Sequence, residues 1–413
     1  MNRCREPQFR RSRLSCGLGH VAQRLCEPSA YWHANAPSHS GARSSWRPSV
    51  GSTERTTVFP LINDFISTRG VSGSSRGAEL IRCALAGSQP EVVGSVTPPK
   101  KPKTRLGRLL QMLTWDFITA PREAARLGAD LIVHATNTGR GSRGVKSVIV
   151  MHDTMVLDHP SLFNKWFVLY ARMTFGVSAK AADLIVTPSR HSASRIAARW
   201  PHTAGRIRVI PWPAPQPGDV SASVAERRRK PTVLVVASMD QHKRLGLAVE
   251  VVARLRKDRA GDIELHMVVR AGNDEDVVLD KIELHDPEGS WVVLHRQLSE
   301  ADLLQLYATS SVTLVPSLDE GFCLPAIESI ARGTPVVHAG RGALTEVIPM
   351  YPAASEGQSD SEVLYQRLSA VFEGTVARRQ QEDFQEDSVQ FATDTFRSRW
   401  LEVINELSGR SCT

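Results

Sequence analysis

Two glutamates eight positions apart, Glu320 and Glu328, bracket the stretch Glu-Gly-Phe-Cys-Leu-Pro-Ala-Ile-Glu. An ionised carboxylate is an acceptor only, so a pair of them at one mouth suits hydroxyls, as on a ribose or a sugar ring. The elements that must position this pair are readable on either side. Residues 312–315 are an apolar β-branched run that Pro316 stops, and Asp319-Glu320-Gly321 supplies turn chemistry. Pro325 suits the first turn of a helix and Gly333 the left-handed residue beyond its end, with Val336 and Val337 opening the next strand. A helix that opens beside the C-terminal end of a strand turns its unpaired amides toward the crevice and favours an anion, most often a phosphate. Taken singly, Glu320 is equally an ordinary turn acid and Glu328 a solvated helix residue.

A second polar pair, His152-Asp153, follows the apolar run 145–151. Titratable groups at the end of a buried parallel strand sit where α/β folds place ligands, although a capped turn is the plainer use of the pair. Asp274 and Asp276 form a D-x-D; acids at a helix start complement the dipole without any metal.

The whole stretch 320–328, followed by Gly333-Thr-Pro-Val-Val, resembles the E-x7-E signature of the retaining, nucleotide-sugar-dependent glycosyltransferases of family four. That resemblance implies an α/β chain of the GT-B fold, two Rossmann-like domains facing across a cleft. It places Glu328 on the ribose of the donor, the amides opening the Leu324 helix, with Cys323, on the diphosphate, and Glu320 with Gly321 and Phe322 at the sugar. The run from His152 to Pro160 resembles the family segment whose histidine faces the transferred sugar, which gives His152 and Asp153 a catalytic role beside Glu320.

The loop from Ser238 to Arg244 occupies the place of the family's phosphate-binding segment, and Lys243 matches its lysine. The arginine that many members carry five residues earlier is Ser238 here, so Lys243, helped by Arg244 or His242, must balance the diphosphate. Gly70 and Gly73 look like the glycine loop at the cleft edge of the first domain. The stretch from Ala339 to Glu346 looks like the family's loop and glutamate. The resemblance implies no metal and no cofactor, with a nucleotide diphosphate sugar as substrate. GDP-mannose is the leading donor, and the acceptor is a glycan or a lipid-linked glycan.

The resemblance spans about residues 56–408, and it sets the expected organisation. Residues 1–55 form a disordered basic extension: residues 1–54 hold eight arginines, no lysine and three glutamates. Residues 56–212 form an acceptor domain, 213–231 a proline-rich linker and 232–390 the donor domain. Residues 391–408 form a helix crossing back to the first domain. Strands are expected over 58–62, 130–135, 145–151, 183–187, 206–210, 232–237, 263–269 and 291–294. The segment 1–55 lacks a central apolar run and so is not a secretory leader.

The chain has 413 residues with 41% hydrophobic and 23% charged content, enough for two cores. No stretch approaches the roughly 18 consecutive apolar residues of a membrane span. Six cysteines without C-x-x-C spacing support neither a zinc site nor a disulfide framework, and a reducing, cytoplasmic setting fits. The basic run 98–105, ahead of Leu106, Leu109, Leu110 and Leu113 at helical spacing, suits peripheral contact with the inner face of a membrane; packing against the sheet is the competing use. Three other functions compete: an inactive nucleotide-sugar binder of the same fold, an epimerase, and nucleic-acid binding through the tail. The last is disfavoured because the folded part has no basic stripe interleaved with aromatics, so no nucleic-acid partner is expected.

Overall fold

A computed structural model describes residues 58–66, 73–86, 93–96, 98, 104–215, 230–259, 262–349, 357–374 and 377–409. All of them lie in one compact unit. Two all-parallel sheets organise that unit, and their strands read as short Val/Ile/Leu runs because both faces are covered by helices.

The first lobe contains β1 (Pro60–Asn63), α1 (Gly73–Ala86), β2 (Gly94–Val96), α2 (Arg105–Thr114), α3 (Ala120–Arg126), β3 (Leu131–His134), β4 (Lys146–Val150), α4 (Met155–Asp158), α5 (Lys165–Ala181), β5 (Leu184–Thr187), α6 (Arg190–Arg199) and β6 (Ile207–Val209). Its strand order is β2-β1-β3-β4-β5-β6. A single π-helical turn, Trp115–Thr119, joins α2 to α3.

The second lobe contains β7 (Thr232–Ser238), α7 (Leu245–Asp258), β8 (Glu264–Arg270), α8 (Glu275–His285), β9 (Val292–His295), α9 (Glu300–Thr309), β10 (Val312–Val315), α10 (Leu324–Ile330), β11 (Val336–His338), α11 (Leu344–Val347), α12 (Asp360–Phe372) and α13 (Ala377–Asp387), in the order β11-β10-β7-β8-β9. The last helix, α14 (Thr393–Ser408), lies against α1 of the first lobe. Its Phe396, Trp400, Val403 and Ile404 share one buried cluster with Ile81, Ala84 and Trp212, and with Phe322 and Ile327 of the second lobe.

Several expectations need correction. Gly73, expected in a glycine loop, is instead the first residue of helix α1; Gly70 lies outside the described residues. Gly77 sits inside that helix because a Cβ there would lie 2.7 Å from the Trp212 ring. The apolar stripe after the basic run splits: Leu109 and Leu113 pack toward the buried side of α5, whereas Leu110 is exposed. The strongly charged 377–387 segment is helical, and its buried Gln380 closes the outer edge of β11. The Gln380 amide donates to the Val336 carbonyl at 2.9 Å and accepts from the Val336 amide at 2.7 Å.

Candidate active site

The site grows from the loop between β10 and α10. Val315 ends the strand, and the chain turns through Ser317 and Asp319 to Glu320, which is buried. One Glu320 oxygen accepts from the Lys243 ammonium at 2.7 Å and from the Ser317 hydroxyl at 2.6 Å. Lys243 arrives from the loop after β7. Burial works against its ammonium, but the Glu320 carboxylate outweighs that cost and its pKa is raised.

Arg244 stands in the left-handed region at φ 50° and turns away from Glu320. Its guanidinium donates to the Pro316 and Ser317 carbonyls at 2.8 and 3.3 Å and pairs with Asp360 at 2.7 Å, so it braces the loop that carries Glu320. Ser238, the last residue of β7, donates to Asp240 at 2.5 Å.

Gly321 is one of the points where the two lobes touch. A Cβ at this position would lie 2.6 Å from the His152 carbonyl oxygen and 3.0 Å from the Asp153 Cβ, so only glycine lets the loop approach the end of β4. The Gly321 carbonyl accepts from Ser189 at 2.7 Å and from Ser192 at 3.3 Å, both at the start of α6. Glu346 completes this seam, its carboxylate accepting from the Arg190 amide at 2.9 Å and the His191 amide at 3.2 Å. Asp319 faces Arg195 at 2.8 Å and His191 at 3.2 Å from the other side.

His152 stacks on Trp212 with ring centroids 5.8 Å apart. Its Nε2 lies 3.1 Å from the Ala135 carbonyl, which can only accept, so Nε2 carries the hydrogen and Nδ1 the lone pair. Burial lowers its pKa and keeps the ring neutral. Asp153 accepts from the Met155 amide at 2.9 Å; burial raises its pKa, opposed by that bond and by His152 and Lys243. Asn137 ties the turn down by accepting from the His152 amide at 2.8 Å.

Glu328 is buried and fully engaged. One oxygen accepts from Arg76 on α1, across the lobe boundary, and the other from the Tyr307 hydroxyl at 3.0 Å. Burial raises its pKa, with Arg76 and Tyr307 opposing. Cys323 precedes α10 at φ 79°, its thiol pushed up by burial, and Leu324 with Pro325 opens the helix. No side chain caps that helix start. Phe322 turns inward, edge-on to Phe391 at 6.2 Å. Asp274 and Asp276 lie at the start of α8, and no group of three His, Cys, Asp or Glu able to hold a metal occurs among the described residues.

A cavity of about 140 Å³ opens beside His152 in the first lobe. Phe65, Phe167 and Phe175 form apolar wall, and Asp116, Thr138 and Tyr170 form a polar floor. Thr138 donates to Asp116 at 2.7 Å and lies 3.1 Å from the Tyr170 hydroxyl. Asp116 also accepts from Asn63 at 2.9 Å and sits in the π-helical turn, a distortion frequent at functional sites.

Sequence reasoning did not single out Arg76, Tyr307, Asn137, Ser192, Trp212 or Asp116. None carries a local motif; each is brought in from a distant segment by the fold.

The family model described as Glycosyltransferase Family 4 matches residues 74–213, and that described as Glycosyl transferases group 1 matches residues 219–382. The chain belongs to glycosyltransferase family 4.

This family-four chain is 30% identical over 196 residues to MMP alpha-(1->4)-mannosyltransferase of Mycolicibacterium hassiacum, covering 45% of this chain and 44% of that protein. It is 26% identical over 227 residues to O-antigen chain mannosyltransferase B of Escherichia coli, covering 53% of this chain and 59% of the relative. The chain thus spans about half the length of the curated relatives it matches. Among solved structures it is similar to sucrose-phosphate synthase from Thermosynechococcus elongatus, with a TM-score of 0.67 at 17% identity over 85% of this chain and 99% of that one. That likeness establishes the GT-B fold of this family-four chain.

Proposed function

We propose that the protein transfers a hexose from a nucleotide diphosphate donor to a hydroxyl of a glycan acceptor, with retention at the anomeric carbon and without a metal. Residues 232–390 would act as the donor domain and 56–212 as the acceptor domain. The observation that carries this reading is the meeting at Gly321, where Lys243 and Glu320 of one lobe come against His152 and Asp153 of the other. Charge leaves the sugar with the diphosphate, and a preorganised cation aimed at it is the main expected source of rate. Lys243 is that cation, with the uncapped amides that open α10 beside it.

Glu320 holds Lys243 in place and offers its remaining acceptor capacity to sugar hydroxyls, while Glu328 takes the ribose once Arg76 releases it. Neutral His152 offers a lone pair rather than a charge, which suits hydrogen bonding to a sugar hydroxyl. The cavity beside His152 takes the acceptor, where aromatic walls and a carboxylate floor match a sugar ring's apolar faces and polar rim. Two glutamates in one lobe do not make the opposed acid and base of a glycosidase.

Mannose from GDP-mannose is the proposed transfer, rhamnose-like sugars being next, because the relatives above are named as mannosyltransferases. Polysaccharide synthesis in the cytoplasm is the corresponding setting. Incubating purified protein with GDP-mannose tests the reading: slow donor hydrolysis is expected, and Glu320→Ala should abolish it while a surface substitution retains it. A catalytically inactive nucleotide-sugar binder of the same fold is favoured instead by Ser238, which leaves Lys243 without the second cation many members carry. That reading expects nucleotide binding with no turnover of any donor.

A further inference from the structure

Helix α5 has two unlike sides. Phe167, Tyr170 and Phe175 line the cavity beside His152; Tyr170 and Phe175 are buried, whereas Phe167 at the cavity edge is 42% exposed. The outer side of the helix carries Trp166, Leu169, Met173 and Val177, which are 68%, 48%, 59% and 54% exposed. At 100° per residue these four fall within one quarter of the helix circumference, so they form a continuous apolar ridge. Single exposed apolar side chains are ordinary, but a contiguous ridge of four on one helix is not.

Charge identifies what covers it. The helix has three cations, Lys165, Arg172 and Lys180, all exposed, and no acidic residue. None of the three is paired with an acid among the described residues. On the same helical projection Lys165 and Arg172 border one side of the ridge, and Lys180 falls within its span near the C-terminal end of the helix. A second copy of this face would bring like charges together, whereas an anionic bilayer accepts apolar side chains between its headgroups and cations against its phosphates.

We propose that the outer face of α5 docks on an anionic lipid bilayer, placing the cavity behind the same helix within reach of an acceptor anchored in that bilayer. The docking rests on exposure and charge alone; the anchored acceptor rests on the transferase reading above. The surface differs from the one foreseen in the sequence, since the leucine stripe of α2 is largely used in packing and the free apolar ridge belongs to α5.

The test is co-sedimentation of the full chain with phosphatidylcholine vesicles, with and without about 30% phosphatidylglycerol, at low and high salt. Binding is expected to the anionic vesicles and to weaken with salt. Trp166→Gln, Leu169→Gln and Met173→Gln combined should lower the apparent affinity about tenfold or more. A second variant, Arg172→Glu with Lys180→Glu, keeps the ridge and should lose binding to the anionic vesicles while its melting temperature is unchanged, so misfolding of the first variant would not shield the proposal. Absence of wild-type binding overturns it. So does undiminished binding by both variants, which would assign the interaction to the basic segment 1–55, or a vesicle-independent dimer that the glutamine variant abolishes. Donor hydrolysis without vesicles should be the same in wild type and both variants. Vesicle binding without hydrolysis in any of them would remove the transferase reading and leave the docking surface standing.

Discussion

The Arg76 guanidinium on α1 of the first lobe closes on the Glu328 carboxylate on α10 of the second. With Tyr307 on the other oxygen, Glu328 has both oxygens engaged. A nucleotide whose ribose uses Glu328 must displace Arg76, so donor binding and the lobe contact compete for one group. Arg76→Gln is therefore expected to tighten nucleotide binding about threefold to tenfold, read by calorimetry, since a neutral amide competes less well than a charged guanidinium. Weaker binding in this variant would mean that Arg76 itself contacts the donor.

Lys243 and Glu320 form a buried pair, so removing one partner strands the other. Lys243→Met should cost about 3 kcal/mol in urea unfolding, and the double variant Lys243→Met/Glu320→Gln should recover much of that loss without recovering turnover. If the double variant is as unstable as the sum of the singles, the pair contributes nothing to the fold.

Gly321→Ala places a methyl against the His152 carbonyl, and backbone on both sides cannot yield cheaply. A stability loss of about 1–3 kcal/mol and a fall in kcat of tenfold or more are expected from displacement of the seam. Gly246→Ala in α7 is the control. Its methyl meets only the flexible Lys281 side chain at 3.3 Å, and helix propensity should make it neutral or stabilising by up to about 1 kcal/mol.

Acid should destabilise the protein through its buried imidazoles. Burial holds the pKa of His134 and His338 down to about 4 from 6.5. Below pH 6.5 the unfolded chain takes up protons that the folded chain refuses, so stability falls as pH falls, and the loss is complete near pH 4. Each group contributes a loss on the order of 3 kcal/mol across that window. Urea midpoints measured from pH 7.5 to 4.5 check it, and a flat profile would contradict the burial of both rings.

Much of the architecture was legible because parallel strands are short apolar runs bounded by turn residues, and serines, the residue type that caps helices, stand at the starts of α6 and α9 as Ser189 and Ser299. The Glu320 loop was legible because its residues are contiguous. What the sequence hid is what only packing decides. Arg76 and Glu328 are 252 positions apart, and no local spacing connects them. The start of α1 is hidden because Gly73 and Gly77 look like loop glycines until Trp212 is seen lying on the helix. The ridge on α5 reads as an ordinary core stripe, since periodicity marks an apolar face without saying whether anything covers it.

The final helix has a consequence for biosynthesis. Because α14 covers α1 with Phe396 and Trp400, the opening lobe cannot bury Ile81 and Ala84 against them until residues 396–404 have left the ribosome. The nascent chain must therefore carry an uncovered oily strip while the more than 300 residues between Ile81 and Phe396 are made, and a stop codon anywhere between them would leave that strip permanently bare.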